Sequence, residues 1–210
     1  MKEQETTKPT DRRIKAVLFD FGGVLAEEGF REGLMEIARS NGLDPLSFFE
    51  FAGAAAYDTG YALGKADERI YWDTLREKAG IRGSDEEFRG EILSRFVIRP
   101  WMIDLVRSLR DRLKDVSILS DQSNWLDELE TRYGFSREFT RVFNSYHMGK
   151  GKKDPELFSE IAGELGLEPS EILFIDDNEG HTARARSRGL HAILYRDRES
   201  LLSELAHFGL

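Results

Sequence analysis

Beyond Pro100 the chain alternates short apolar runs with longer segments of helical spacing, and few folds accommodate that rhythm. Helices are expected over 102–113, 125–133, 155–165, 182–188 and 200–207, and strands over 116–119, 141–143, 171–175 and 191–194. An apolar run over 15–19 supplies one more strand. Strands joined through helices run parallel, and a parallel sheet is buried on both faces. The expected fold is therefore α/β: a doubly wound, three-layer parallel sheet.

Between the first strand and the rest, residues 30–96 show only helical spacing. Leu34, Ile37 and Ala38 mark one helix, stopped at Asn41 and Gly42. Asp44 before Pro45 caps a second helix, which carries Phe48, Phe49 and Ala52. Asp67 opens a third, with Ile70, Tyr71, Leu75 and Ala79 on one face, and Ser84 with Glu87 forms a capping box ahead of Phe88, Ile92, Leu93 and Phe96. This organisation predicts a core domain over 14–28 and 99–210 interrupted by a small helical cap over 29–98. Residues 1–13, polar and carrying Pro9, are expected to be a disordered leader. Trp72 and Trp101 read as core residues. Tyr57, Asp58, Tyr61 and Lys65 could face a cleft, with packing or solvation as the simpler role.

Composition narrows the function. The 210 residues carry a net charge of −9, which argues against a nucleic-acid groove or an anionic membrane as partner. An anionic substrate would need a local positive site, from a metal or a few lysines. Without cysteine there is no disulfide and no thiolate nucleophile. The polar start lacks the apolar stretch of a signal peptide, and no run approaches the roughly 20 apolar residues of a membrane span. A cytoplasmic protein with a small-molecule partner is expected. Nothing in the sequence speaks to its oligomeric state.

Four strand ends carry polar groups. The first strand ends at Asp20, followed by Gly22 and Gly23; the second ends at Ser120 and Asp121. A lysine-rich loop over 149–155 follows the third, and the next strand ends at Asp176 and Asp177. In a doubly wound sheet such ends share one edge, where ligands bind. Displacement at phosphorus suits this set. Asp20 can attack as a carboxylate nucleophile. Asp20 and Asp177 are hard oxygen ligands suited to Mg²⁺. Ser120 can hold a phosphate oxygen, and Lys152 can balance the acidic charge. Gly22 and Gly23 do not form the Gly-x-Gly-x-x-Gly fingerprint of dinucleotide-binding folds.

Taken together, these segments resemble the haloacid dehalogenase superfamily, over most of the chain from Lys15. The stretch over 19–25 is similar to that family's Asp-x-Asp-x-Thr/Val motif, Ser120 matches its second motif, the run over 151–158 its third, and Asp176 with Asp177 its fourth. The helical insertion resembles a C1-type cap, and the Asp-x-Gly start resembles that of sugar-phosphatase-like branches. The resemblance implies Asp20, Ser120 and Lys152 as catalytic residues, with Ser120, Asp121 and Lys152 binding substrate. It selects Lys152 over Lys150 and Lys153. It implies Mg²⁺ held by Asp20, the Gly22 carbonyl and Asp177, with Asp176 in support. The implied activity is hydrolysis of a small phosphorylated metabolite, such as a sugar phosphate, through an aspartyl-phosphate.

One position departs from the family. Gly22 stands where the family's second Asp serves as acid and base. Either a water-filled gap results, or another acid reaches the space, with Glu27, Glu28 and Asp121 nearest in sequence. His181 reads as a helix-start residue near the site. Two alternatives remain at this stage. One is a metal-independent 2-haloacid dehalogenase, against which both Gly22 and the acidic pair argue. The other is a weakly catalytic relative retained for binding a ligand or partner.

Overall fold

Four consecutive apolar residues, Ala16–Phe19, form β1, the middle strand of a five-stranded parallel sheet. The computed structural model describes residues 13–210, so the expected leader lies outside the described residues apart from residue 13. Beside β1 lie β2 (Asp115–Ser120) and β3 (Val142–Asn144) on one side, and β4 (Ile172–Asp176) and β5 (His191–Leu194) on the other. The order β3-β2-β1-β4-β5 places the topological switch between β1 and β4, where a crevice opens at the carboxyl ends. Phe19 is level with Ile118 and with Ile175, so the residues following them emerge at the same edge.

The helices after β1 are α1 (Gly29–Ser40), α2 (Pro45–Asp58), α3 (Glu68–Ala79) and α4 (Asp85–Arg95). Next come α5 (Pro100–Arg110), α6 (Trp125–Tyr133), the single turn α7 (Ser145–Met148), α8 (Glu156–Leu165), α9 (Glu179–Ser187) and α10 (Arg198–His207). Side chains alternate across a strand, and both faces of this sheet are covered. Val17 and Phe19 join a core with α5, α6 and α10, whereas Ala16 and Leu18 pack with α8. The first of these cores runs without a break into α1–α4 through Phe21, Leu25, Phe96 and Trp72. Among the described residues, no helix is long and apolar enough to cross a membrane.

The expected caps form. Asp44 accepts the Ser47 N–H at 2.9 Å, Asp67 that of Ile70 at 3.0 Å, and Ser84 exchanges bonds with Glu87. Three expectations are corrected. Ile70 is half exposed, because α3 turns Tyr71, Trp72 and Leu75 inward instead. The larger indole decides that rotation, stacking on Trp125 with centroids 5.8 Å apart. Trp101 is only partly buried and carries the Arg198 guanidinium over its ring. The turn α7 lies in a stretch the sequence pattern leaves without structure; Asn144 caps it, accepting the Tyr146 N–H.

Candidate active site

Asp20 leaves β1 still hydrogen-bonded to its neighbour, its N–H donating to the Ile175 carbonyl at 2.9 Å. That bond holds its carboxylate at the switch point, where Oδ1 accepts the Phe21 N–H at 2.7 Å. Its other oxygen faces the Lys152 ammonium at 2.8 Å, and the same ammonium donates to Asp176 Oδ2 at 2.7 Å. The lysine side chain is 1% exposed, with Nζ 5.6 Å from the centre of the Phe174 ring. Lys150 instead pairs with Glu160, and Lys153 sits over the Tyr57 ring, so Lys152 alone of the three reaches the carboxylates.

An open cleft of about 420 Å³ collects Asp20, Gly22, Ser120, Asp121, Lys152 and Asp177 on its wall. Six of the seven expected site residues are thus together. The seventh, Asp176, lies behind them, fully buried, held by Lys152, by the Asn178 N–H at 2.7 Å and by His181 Nδ1 at 3.2 Å. Asp121 accepts the Lys152 N–H at 2.9 Å and the Tyr57 hydroxyl, which ties α2 to the end of β2. Ser120 is buried as a residue and lines the same cleft.

The electrostatics are unbalanced. Burial pushes Asp20 well above the usual carboxylate range, Lys152 pulls it back, and repulsion from Asp176 and Asp177 adds to the rise. Asp177 is likewise raised by burial and by Asp176. Burial works against the Lys152 charge too, but Asp176, Asp20 and Asp121 outweigh it and keep its pKa above normal. Asp176 is buried at a cost, yet Lys152 and His181 hold it below its ordinary value. Three carboxylates therefore face one ammonium, and two of the three resist ionisation.

That surplus fits a hard divalent cation, which would be held by oxygen ligands and would let Asp20 ionise. Two groupings of side chains present themselves, one a trio and one a pair. Asp20, Asp176 and His181 present atoms within 4.8 Å of one another, but the Asp176 oxygens are already filled by Lys152, Asn178 and His181. Asp177 takes no side-chain or neighbouring-residue donor among the described residues and lies against Gly23. Asp20 with Asp177 is therefore the better pair.

Several cleft residues were not signalled by the sequence. Arg31 and Phe49 reach it from α1 and α2, and Gln122 from the loop after β2. Arg184 braces the lysine loop, its Nε donating to the Lys152 carbonyl at 2.8 Å. The three acids considered near Gly22 separate clearly. Glu27 turns away to Arg99 at 2.8 Å, and Asp121 is occupied as described. Glu28 lines the cleft, and burial pushes its carboxyl up to about 7, with Asp177 adding to the rise. Of the cap residues considered, Tyr57 lines the cleft, Asp58 and Lys65 are exposed, and Tyr61 is buried with its hydroxyl donating to Asn124 at 2.7 Å.

Fold and site together define an α/β enzyme whose acidic and basic groups converge at the switch point of a parallel sheet. A model of the haloacid dehalogenase-like hydrolase family matches residues 14–185, and the chain belongs to that family. It is similar to flavin mononucleotide hydrolase 1 of Arabidopsis thaliana, 28% identical over 109 residues, which cover 52% of this chain and 44% of the relative. Bifunctional epoxide hydrolase 2 of Sus scrofa is 26% identical over 217 residues, covering 91% of this chain and 38% of that protein. The chain thus spans less than half the length of these two curated relatives. A HAD family enzyme of Bacteroides thetaiotaomicron, solved with magnesium and inorganic phosphate, superposes with a TM-score of 0.69 at 25% identity, over 90% of this chain and 98% of that one.

Proposed function

We propose that this hydrolase is a Mg²⁺-dependent phosphomonoesterase, acting on a small phosphorylated metabolite such as a sugar phosphate through an aspartyl-phosphate on Asp20. The observation that carries this reading is the Lys152 ammonium between Asp20 and Asp176, with Asp177 free on the same cleft wall. Asp20, the Gly22 carbonyl and Asp177 would hold Mg²⁺, which supplies neutralising charge for the phosphoryl oxygens. Ser120 Oγ and Lys152 Nζ would bind those oxygens from the protein side. Asp176 keeps the lysine charged and aimed at the cleft, and Asp121 fixes the backbone of the same residue. The cleft falls within the usual size of small-ligand sites, about 300–1,000 Å³. Helices α1–α4, over the proposed cap at 29–98, would close that cleft over the substrate and help exclude water. The magnesium and phosphate bound by the Bacteroides relative support the same assignment.

The test is release of inorganic phosphate across a panel of sugar phosphates, nucleotides and acyl phosphates. Turnover of at least one is expected with Mg²⁺, falling about 10²-fold or more with excess EDTA. Halide release from 2-haloacids without metal, or no turnover across the panel, overturns the reading.

Gly23 provides a separate check on Asp177. Its φ is +77°, and a Cβ there would overlap the Asp177 carboxylate. Gly42, also left-handed at +70°, has nothing within 4 Å of a Cβ. Both Gly→Ala changes should cost about 1–2 kcal/mol of stability for the backbone alone. Only Gly23→Ala should also raise the Mg²⁺ concentration needed for half-maximal activity, because only there is the carboxylate displaced. Urea unfolding and a Mg²⁺ titration of both variants distinguish the two effects.

A further inference from the structure

Departure of an alkoxide from phosphorus needs a proton, and the water that later attacks a phospho-enzyme must lose one. On the phosphomonoesterase reading above, most acidic groups in the cleft are already committed. Asp20 is the nucleophile, Asp176 is saturated by three donors, Asp177 faces the cation position, and Asp121 accepts from Lys152 and Tyr57. Glu28 is the exception. Its Oε1 accepts the Arg31 N–H at 3.0 Å as the N-cap of α1, whereas its Oε2 has no partner among the described residues.

Its position is set by packing. Gly29 follows it, and a Cβ there would overlap the Phe96 ring, so the first turn of α1 seats directly on the end of α4. Gly33 sits in the same way against Ile92, one turn further along. That close approach brings the Glu28 carboxylate to the loop after β1, with Oε2 3.3 Å from where a Cβ of Gly22 would lie. Phe96 Cε1 is also 3.3 Å from that point, giving the carboxylate one apolar wall, while the cleft is the other. A side chain at Gly22 would compete for this space; its absence lets an acid from another element fill it.

We propose that Glu28 is the general acid and general base of the reaction, supplied by the helical insertion to the space beside Gly22. In the first step an Asp20 oxygen forms a bond to phosphorus as the P–O bond to the leaving group breaks. The electron pair moves to the leaving oxygen, which takes the proton of the Glu28 carboxylic acid and departs as an alcohol. In the second step the Glu28 carboxylate takes a proton from water as that water attacks phosphorus. The P–O bond to Asp20 breaks, the Asp20 carboxylate is restored, and inorganic phosphate leaves.

The experiment compares Glu28→Gln with the wild type at one fixed pH and saturating Mg²⁺. The amide keeps an oxygen for the Arg31 N–H, so the helix cap is retained, but it cannot exchange the catalytic proton. With glycerol phosphate, whose alkoxide needs protonation, kcat should fall roughly 10²–10⁴-fold. With p-nitrophenyl phosphate, whose leaving group departs unaided, rapid mixing should give a burst of one nitrophenolate per site and then slow turnover, as the aspartyl-phosphate accumulates. A second variant guards against misfolding. The φ of Gly22 is not left-handed, so Gly22→Asp is compatible with the backbone, and Gly22→Asp with Glu28→Ala should exceed Glu28→Ala alone at least tenfold on glycerol phosphate. Unimpaired turnover in Glu28→Gln, or an equal loss on both substrates without a burst, overturns the proposal. If the wild type cleaves no phosphate ester, it is the phosphomonoesterase reading itself that has failed.

Discussion

Asp20→Asn is expected to abolish phosphate-ester hydrolysis while leaving the folded protein no less stable than the wild type. Loss of an activated nucleophile costs roughly 10⁴-fold or more in kcat, about 5.5 kcal/mol of barrier. The stability half of the expectation comes from the sign of the pKa shift. Burial raises the Asp20 carboxyl well above the ordinary range, so its ionised form weighs against the folded state at neutral pH. An amide keeps the acceptor for the Phe21 N–H and removes one of the three crowded charges, while Lys152 retains Asp176. Phosphate release and thermal unfolding, measured on one preparation, check both halves. Activity retained within tenfold would remove Asp20 from the mechanism, whatever happened to the midpoint.

Lys152→Met should be damaging in both respects. The ammonium is the sole cation in direct contact with Asp20 among the described residues, and removing one partner of a buried charge cluster costs about 3–5 kcal/mol. Catalysis should fail as well, since among the described residues no other cleft side chain is paired with both carboxylates. Lys152→Arg should not rescue it, because a planar guanidinium does not fit a site whose occupant is 1% exposed. The pH dependence adds a further check. In the wild type, Lys152 helps hold Asp176 below its ordinary 3.8, a contribution present above that pH and lost as the pH falls. The stability gap between Lys152→Met and the wild type should therefore persist from pH 7 to about pH 4 and narrow as urea unfolding is followed further down, below 3.8. A gap that stayed constant would mean that packing of the lysine stem, not its charge, is what matters.

Much of this site was legible in one dimension because the determinants are local. A short apolar run has to be a buried strand, its first polar residue has to emerge at the sheet edge, and parallel strands bring those edges together. Asp20, Ser120, Asp121, Asp176 and Asp177 follow from that, as do the caps at Asp44, Asp67 and Ser84. Choosing among Lys150, Lys152 and Lys153 needed a family resemblance, because adjacent loop lysines have no periodicity to separate them. Ile70 and Trp101 were misplaced for a different reason. Apolar spacing tells which residues share a helix face, but what each side chain meets is set by its neighbours: the Trp72–Trp125 stack turns α3, and Trp101 on α5 lies under the Arg198 guanidinium.

Glu28 shows where that boundary lies. By itself the sequence determined the fold class, the edge at which the chemistry is gathered and the vacancy at Gly22, since each depends on backbone geometry and residues close along the chain. It could not choose between Glu27 and Glu28, adjacent acids of identical composition. Only the tertiary structure decided that one pairs with Arg99 and the other lines the cleft. The choice depends on how closely α1 settles on α4, a contact between segments some sixty residues apart, made by Gly29 against Phe96 and Gly33 against Ile92. Such packing is a property of two surfaces in three dimensions, and no pattern within either segment encodes it.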